Sequence, residues 1–299
     1  MTISFIIINY NTPELTCKCI SSIQEHVRRV ASEIIVVDNC STPENFRQLE
    51  SLCSQGTQIL RNAVNMGFGL GNNIGAQQAK GDFLCFINSD VELYEDCVTP
   101  LCEYMQTHGD TGCAGTQQHK SAGMPVPTFK HNMGIRHELF GDGIFEKILP
   151  GRFPKRKDFT RKEPFCVPQI SGSLMVFPRK CFWEAGGFDS NLFLYYEEYD
   201  LGKRLQAMGL KSLVFPQYGY LHLHTASTNQ MRKAAYRELV ISKLYAYDKF
   251  HGIILSDIFR GICLLKTLLK PRKWFLLPIY IKRNPLALSL KHAQKGVCL

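Results

Sequence analysis

Apolar runs that each end on a polar side chain recur along the first part of this chain. The runs occupy residues 3–9, 33–38, 57–62 and 82–87. Helical patterns open near Pro13 and Pro43, after the first two runs. Alternating strands and helices of these lengths predict a mostly parallel central sheet flanked by helices. Ligands of such folds bind at the carboxyl ends of the strands, where we expect Asn9, Asp38 and residues 88–90 to meet.

The fourth run has the densest polar ending, because residues 83–87 lead directly into Asn88, Ser89 and Asp90. A buried strand that stops on an amide, a hydroxyl and a carboxylate is typical of polar ligands at a sheet edge. The same three residue types are also ordinary turn formers. On this stretch alone, both interpretations stay open.

The composition is that of a globular protein, with 299 residues, 45% hydrophobic and 20% charged. This length allows one large or two small domains with a sizeable core. The 12 cysteines show no CxxC pair and no Cys/His zinc spacing, which predicts reduced thiols in a cytosolic protein. No basic leader segment opens the chain, and no apolar stretch reaches about 18 residues, so we expect neither a signal peptide nor a transmembrane helix.

The glycine-rich segment at residues 67–75 matches neither of the common phosphate-binding motifs. The chain has no GxxxxGK[ST] sequence, and Asn72 occupies the position of the last glycine that GxGxxG requires. A P-loop enzyme and a classical dinucleotide fold are therefore disfavoured. The glycines indicate either backbone close to a ligand or a flexible turn before a helix.

Residues 117–165 have little periodicity and many Pro, Gly, His and Lys residues, which is typical of a long functional loop or lid. Farther along, Glu197, Glu198 and Asp200 crowd the start of a predicted helix. Such acids either meet a catalytic demand or form a solvated helix N-terminus. His222 and His224 follow on one face of a strand, as metal ligands or as structural histidines.

The excess positive charge lies in the C-terminal tail. Residues 231–299 contain 14 Lys or Arg and three Asp or Glu, whereas residues 1–230 contain 21 and 23. Basic and apolar residues interleave in this helical pattern, which fits either an amphipathic segment on an anionic membrane or a helical bundle packed on the domain. Without a helix-turn-helix, zinc-finger or RNP motif, nucleic acid is not a predicted partner. We predict a catalytic domain at 1–230 and a basic amphipathic helical tail at 231–299.

Taken together and in order, these motifs resemble the inverting glycosyltransferases of family 2, which have the GT-A nucleotide-diphospho-sugar transferase fold. The matching segments are residues 4–11, 36–41, 65–69 with Asn72, Asn73 and Gly75, 86–90, 171–175, 187–189, 195–201 and 222–227. The resemblance covers about residues 1–230. Within the family, residues 195–201 and the tail are most similar to bacterial rhamnosyltransferases of polysaccharide assembly.

The resemblance implies a donor site for a nucleotide-diphospho-sugar. The residues carried over to it are Asn9, Asn11 and Asp38 at the nucleoside, Tyr10 near the base, Asn65, Gly67 and Asn72 in the sugar-nucleotide pocket, and Asn88 and Ser89 beside the diphosphate. Asp90 would coordinate a divalent cation, Mg²⁺ or Mn²⁺, and His222 would complete that metal site, with His224 as the second choice. Asn88 stands where many members have Asp, which implies a weaker metal site.

The resemblance also implies that Glu198 is the catalytic base. It would take the proton of the acceptor hydroxyl as that oxygen attacks the anomeric carbon, and a single displacement inverts the configuration. Glu197 and Asp200 would orient the base or cap the helix, and Arg204 would neutralise the acid cluster. Many members have Asp at the position of Glu198.

The predicted activity is transfer of a sugar to a hydroxyl of a growing, lipid-linked bacterial surface polysaccharide. The first expected donor is dTDP-rhamnose and the second is a UDP-hexose. The predicted location is cytoplasmic, peripheral on the inner face of the cytoplasmic membrane. The alternatives are a non-catalytic nucleotide-sugar-binding protein and a nucleotidyltransferase, but residues 9–13 lack the Gly-rich basic loop that the latter chemistry uses.

Overall fold

The computed structural model describes residues 1–53, 56–120, 123–151, 153–223 and 232–294. In these ranges the strands are β1 Thr2–Asn9, β2 Ala31–Asp38, β3 Thr57–Arg61, β4 Phe83–Asn88, β5 Val91–Leu93, β6 Thr111–His119, β7 Pro125–Val126, β8 Phe129–Lys130, β9 Phe165–Val167, β10 Gln169–Ile170, β11 Leu174–Pro178 and β12 Lys211–His222. The α-helices are α1 Pro13–His26, α2 Pro43–Cys53, α3 Gly67–Gln78, α4 Thr99–Thr107, α5 Ile135–Phe140, α6 Asp142–Ile148, α7 Arg179–Glu184, α8 Glu197–Ala207, α9 Arg232–Phe250, α10 Ile253–Leu268 and α11 Leu277–Ile281. Short 3₁₀ helices at Pro271–Leu276, Pro285–Leu288 and Leu290–Ala293 complete the C-terminal region.

The central sheet has the strand order β3-β2-β1-β4-β11-β6-β12-β5. The first four of these strands are parallel, and β11 then runs antiparallel to β4. In the β1 register, Asn9 lies opposite Asp38 and Ile8 lies opposite Asn88, so three polar strand ends share one edge. The predicted α/β fold, with a helix-flanked central sheet and a helical C-terminal region, is confirmed.

The two faces of the sheet bury separate apolar clusters because alternate strand residues point to opposite sides. On one face, Phe5 and Ile7 pack in a cluster with Leu49 of α2. On the other, Ile6 and Phe86 pack in a cluster with apolar residues of α3, α7 and α8. Both clusters are fully enclosed, which makes the strands a rigid base for the polar residues at their carboxyl ends.

Cys17 of α1 and Cys53 of α2 form a disulfide, with Cα atoms 5.7 Å apart. The prediction that the cysteines are reduced thiols is therefore wrong for this pair. The two residues are 36 positions apart in the sequence, and they meet because α1 and α2 pack on the same face of the sheet. Nine other cysteines in the described ranges are free thiols.

The segment predicted as a long loop or lid is more ordered than its sequence indicates. It contains α5 and α6, whose contact is organised by a compact polar cluster. Glu146 Oε1 lies 3.2 Å from His131 Nε2 and accepts from Arg156 Nε at 2.9 Å, while His137 Nδ1 lies 2.9 Å from Asp142 Oδ1. These contacts join residues that no helical or strand repeat brings together. For this reason the sequence pattern predicted no helix or strand in this segment.

The C-terminal helices pack on the remainder of the chain through specific polar contacts. Lys249 Nζ of α9 lies 2.7 Å from Asp189 Oδ2 and 2.5 Å from Asp200 Oδ1. Ser242 Oγ donates to the carbonyl oxygen of Leu194 at 2.8 Å. The interpretation of the tail as a helical bundle packed on the domain thus describes α9 well. The domain boundary at residue 230 stays a prediction.

Candidate active site

Asn9 and Asp38 are joined in a buried network at the ends of β1 and β2. Asn9 Nδ2 donates to Asp38 Oδ1 at 2.7 Å and to Ser41 Oγ at 3.1 Å. The Ser41 backbone N–H donates to Asp38 Oδ2 at 3.0 Å. Both side chains are 0% exposed, so they hold the loop after β2 in place. Their contact with a nucleoside stays a prediction.

Tyr10 and Asn11 lie in the loop after β1. Asn11 has a left-handed backbone with φ of 56°, and its Oδ1 accepts from the Thr42 N–H at 2.9 Å and from Asn45 Nδ2 at 3.1 Å. These bonds tie the loop to the start of α2. Tyr10 is half-buried at the same edge of the sheet, where we predict the nucleobase.

Asn39 is a central residue of this site to which the sequence motifs gave no role. Its Oδ1 accepts from the Met66 N–H at 2.9 Å and from Asn62 Nδ2 at 3.1 Å. Its Nδ2 donates to Asn65 Oδ1 and to the Gly67 carbonyl, both at 2.9 Å. These bonds hold the loop after β2 against the start of α3. The sequence signals were its position directly after β2 and its place in the matched segment at residues 36–41.

Gly67 begins α3 in a conformation that requires glycine. Its φ is 78°, and a Cβ there would overlap the carbonyl oxygen of Phe193. The Phe68 N–H donates to that same carbonyl at 2.8 Å, and the Gly67 N–H donates to Asn65 Oδ1 at 2.9 Å. Asn72 is 1% exposed and donates to the Phe68 carbonyl within its own helix, so its donor contact stays a prediction.

Asp90 and His222 meet at the end of the sheet. Asp90 Oδ1 lies 3.0 Å from His222 Nε2, and the side chain of Asp90 is 3% exposed. The antiparallel pairing of β12 with β5 sets His222 opposite Val91, and the Leu223 N–H donates to the Asp90 carbonyl at 3.0 Å. His224 lies outside the described residues. The structure brings the two predicted ligands together, and their metal-binding role stays a prediction.

This pair offers a suitable donor set for a divalent cation. Asp90 Oδ2 is buried and has no hydrogen-bond partner among the described residues. In those same ranges, no group of three or more His, Cys, Asp or Glu side chains is arranged to hold a metal. Mg²⁺ is usually held by one or two carboxylates together with substrate phosphates and water, so a two-residue site is sufficient.

The turn at residues 171–173 links this pair to Glu198. The Ser173 carbonyl accepts from the Asn88 N–H at 3.0 Å, while the Gly172 N–H donates to Glu198 Oε1 at 3.3 Å. On the other side, Ser89 Oγ lies 3.3 Å from Thr12 Oγ1. The segment that carries Asp90 and the predicted base are therefore held by one short turn.

Glu198 lies in the first turn of α8 and is half-buried. Tyr195 and Tyr196 precede it with φ values of 72° and 70°, a left-handed conformation that is uncommon for residues other than glycine. Such residues cost about 1–3 kcal/mol each and cluster at functional sites. The left-handed backbone of Tyr195 and Tyr196 sets the direction of α8 and of the acidic residues in its first turn.

Asp200 is the fully buried acid of the cluster and is paired with two cations. It is 0% exposed, and its Oδ2 accepts from Arg204 Nε at 2.8 Å. Its Oδ1 lies 2.5 Å from Lys249 Nζ of α9. Two cations thus neutralise Asp200, which connects α8 to the C-terminal helices.

Glu197 differs sharply from its neighbour Glu198 because it is only 2% exposed. Its Oε1 has no hydrogen-bond partner in the described part of the chain. Burial, together with the adjacent Glu198 carboxylate, raises the pKa of Glu197 well above its usual value. We infer that Glu197 is a neutral acid that packs against Gly69 of α3, where its Cγ would lie 3.3 Å from a Cβ on that glycine.

Replacement of Glu197 by Gln is expected to stabilise the protein at alkaline pH. A carboxyl whose pKa is raised by folding binds its proton more tightly in the folded state, so wild-type stability falls as the pH rises above about 4.3, by about 1.4 kcal/mol per pH unit until the folded-state pKa is reached. The uncharged amide removes this loss. Urea unfolding at pH 5 and pH 8 should show a smaller decrease for Glu197→Gln than for wild type. Equal decreases would contradict a neutral Glu197, and exposed Glu163→Gln is the matched control.

A cavity of ≈ 270 Å³ lies beside Glu198. Its lining includes Tyr195 and Tyr196, Lys130 of β8 and Lys243 of α9. Hydroxyl, ammonium and carboxylate groups of this kind suit a polar, hydroxyl-bearing ligand. A carboxylate in such a wall can accept a proton from a bound hydroxyl group.

Comparisons with known proteins identify the family of this chain. The profile of Glycosyl transferase family 2 matches residues 4–184. An N-acetylglucosaminyl-diphospho-decaprenol L-rhamnosyltransferase of Mycobacterium tuberculosis is 26% identical over 243 residues, covering 76% of each chain. The O-antigen biosynthesis protein RfbC of Myxococcus xanthus is 26% identical over 230 residues, which are 75% of this chain and 17% of that protein.

A solved structure shares the fold. GalNAc-T7, crystallised with UDP, GalNAc and Mn²⁺, superposes with a TM-score of 0.60 at 18% identity, covering 81% of this chain and 47% of that one. This likeness confirms the GT-A fold that the sequence motifs predict. The family match covers more than half of the chain. This chain therefore belongs to glycosyl transferase family 2.

Proposed function

We propose that this protein transfers a sugar from a nucleotide-diphospho-sugar, with dTDP-rhamnose as the first candidate, to a hydroxyl of a lipid-linked saccharide, with inversion at the anomeric carbon. The observation that carries the proposal is the coupling of the Asp90–His222 pair to Glu198 through the turn at 171–173. One short turn thus contacts both the segment of the Asp90–His222 pair, which would anchor the diphosphate, and Glu198, which would act as the base. This arrangement is what a single displacement between two bound substrates requires.

In this proposal Glu198 takes the proton of the acceptor hydroxyl as its oxygen attacks the anomeric carbon. Asp90 is unsuited to that task because it is buried and bonded to His222. The bond from the Gly172 N–H to Glu198 Oε1 holds the carboxylate at the wall of the cavity. The acceptor then binds in the cavity, on the side of the anomeric carbon opposite the leaving diphosphate.

Asp90 and His222 would hold the divalent cation, Mg²⁺ or Mn²⁺. When bound, the cation neutralises the charge that develops on the departing nucleoside diphosphate. Asn88 and Ser89 lie beside Asp90 and are positioned by the Ser173 carbonyl and by Thr12.

The names of the relatives support the choice of donor and acceptor. The Mycobacterium protein is named for L-rhamnosyl transfer to a lipid diphosphate carrier, and the Myxococcus protein for O-antigen biosynthesis. A UDP-hexose is the second candidate donor, favoured by the UDP and GalNAc in the GalNAc-T7 structure. Because the proposed acceptor is linked to lipid, we propose that the protein attaches peripherally to the inner face of the cytoplasmic membrane.

A thermal-shift screen with dTDP-rhamnose, UDP-hexoses and GDP-mannose in Mn²⁺ is expected to identify the donor. A ligand that binds only the folded state raises its stability by about 2.7 kcal/mol at 100 times Kd. We expect dTDP-rhamnose to give the largest increase in Tm and UDP-hexoses a smaller one. Stabilisation by a UDP-hexose alone would replace the donor assignment, and no response to any sugar nucleotide would contradict the proposed function.

A further inference from the structure

Helix α10 is apolar on the side that faces solvent as well as on the side that packs. Its buried residues are Ser256, Phe259, Cys263 and Thr267. On the opposite side, Ile254, Ile258, Leu265, Leu268 and Leu269 are 45–82% exposed. A surface helix of a globular protein normally presents polar residues on that side. This outward face is therefore suited to an apolar environment.

The α5–α6 segment carries a second exposed apolar face. Leu139, Phe140, Ile144, Ile148 and Leu149 are 43–69% exposed, and neither helix contains a buried residue. Ile144 and Ile148 are four residues apart and so lie on one side of α6. We call these five residues and the five exposed residues of α10 the apolar belt.

The two parts of the belt are joined by ion pairs at Glu138. Its Oε1 lies 3.2 Å from Lys266 Nζ of α10, and its Oε2 lies 2.5 Å from Lys243 Nζ of α9. Glu138 directly precedes Leu139, and Lys266 directly follows Leu265. The Glu138–Lys266 contact thus brings the end of α5 beside the C-terminal part of α10, where both helices carry exposed apolar residues.

Basic residues are concentrated in and after α10. Between residues 253 and 294 the chain has eight Lys or Arg and one acidic residue. Lys270, Arg272, Lys282 and Arg283 are exposed and form no ion pair with the described residues. Trp274, 52% exposed, follows α10. A region that combines exposed apolar residues, an exposed aromatic residue and unpaired cations complements an anionic bilayer.

We propose that the α5–α6 segment and α10 together form the membrane-contact surface, with anionic phospholipid headgroups as the partner. A second copy of the chain fits less well, because a two-fold interface would face this basic surface with itself. None of the helices in the described ranges has the length and apolar content needed to cross a bilayer.

The belt also shares a wall with the cavity beside Glu198. His137 and Glu138 of α5 line that cavity, while the next residues, Leu139 and Phe140, face solvent. Contact of α5 with the bilayer therefore places the cavity at the headgroup level. This consequence rests on the proposed function, because it gives a lipid-linked acceptor a route to the base.

Vesicle co-sedimentation of the full-length chain tests the proposal. Binding is measured to mixed phosphatidylglycerol and phosphatidylcholine vesicles and to pure phosphatidylcholine vesicles. The proteins compared are wild type and the double variants Phe140→Ser/Ile148→Ser and Leu265→Ser/Leu269→Ser. Each double variant should reduce the partition coefficient on anionic vesicles by about tenfold or more, since each removes two large apolar side chains from the interface. Exposed Leu52→Ser in α2 is the matched control and should bind like wild type.

The outcomes separate this proposal from the proposed function. Wild-type partition by the Phe140→Ser/Ile148→Ser variant would overturn the role of α5–α6, and equal binding to neutral vesicles would overturn the anionic partner. A dimer in light scattering that both double variants dissociate would assign the belt to a second copy instead.

The donor-induced shift in Tm, measured on every variant, reports folding and donor binding without lipid. Vesicle binding without any donor response would leave the belt intact and contradict only the proposed function.

Discussion

Replacement of Glu198 by Gln is expected to lower kcat by about 10²–10⁴-fold, the usual contribution of a general base. The amide keeps the size of the side chain and can still accept from the Gly172 N–H, which donates to Glu198 Oε1 at 3.3 Å. It cannot take the proton of the acceptor hydroxyl. The donor-induced increase in Tm should therefore remain while release of the nucleoside diphosphate in the presence of acceptor is lost.

Glu197→Gln is the natural control for this experiment. It makes the same chemical change one residue away, at a side chain that is buried and that we infer to be neutral already. Its turnover should stay within severalfold of wild type. If Glu198→Gln keeps wild-type turnover, or if Glu197→Gln loses as much, then the base is not Glu198.

Replacement of Asp90 by Asn is expected to abolish the metal-dependent part of donor binding. The substitution preserves the shape of a side chain that is 3% exposed but removes the charge from the one carboxylate of the proposed site. Metal stabilisation of developing charge is worth several kcal/mol, so turnover should fall by about 100-fold or more. For the wild type, EDTA should have the same effect.

The test is the Tm of each protein with the donor in Mn²⁺ and in EDTA. Wild type should show a large difference between the two conditions, and Asp90→Asn almost none. Exposed Asp257→Asn makes the same change far along the chain in α10 and should behave like wild type. An undiminished Mn²⁺ effect in Asp90→Asn would place the cation elsewhere.

The strand ends were predictable from the sequence because they depend on local patterns. Apolar runs predicted β1, β2 and β4, and parallel pairing then places Asn9, Asp38 and Asn88 side by side. Pro13 correctly marked the start of α1. Pro278 likewise lies in the first turn of α11, where its missing N–H costs nothing.

Features set by contacts between distant residues were not predictable in this way. The antiparallel direction of β11 depends on its partner β4, and the Cys17–Cys53 disulfide depends on the packing of two helices. Neither leaves a local motif. The polar cluster around Glu146, which orders the α5–α6 segment, also joins residues outside any helical or strand period.

The candidate site likewise has features that local sequence predicted and features that only contacts between distant residues determine. The residue pattern placed Glu197 and Glu198 in one acid cluster, and the resemblance gave the role of base to Glu198. Only the fold shows that Glu197 is 2% exposed whereas Glu198 lines a cavity. Similarly, Asn39 follows β2 like any turn residue, and its four hydrogen bonds to the segment before α3 arise from tertiary packing.

The proposed reaction is a single displacement between a donor held at Asp90 and an acceptor hydroxyl activated by Glu198. The anomeric configuration of the product tests this reaction most directly. The protein is incubated with the donor identified by thermal shift, Mn²⁺ and a lipid-linked saccharide acceptor, and the new linkage is assigned by NMR coupling constants. We expect a configuration opposite to that of the donor, and retention of the donor's configuration would contradict a single displacement.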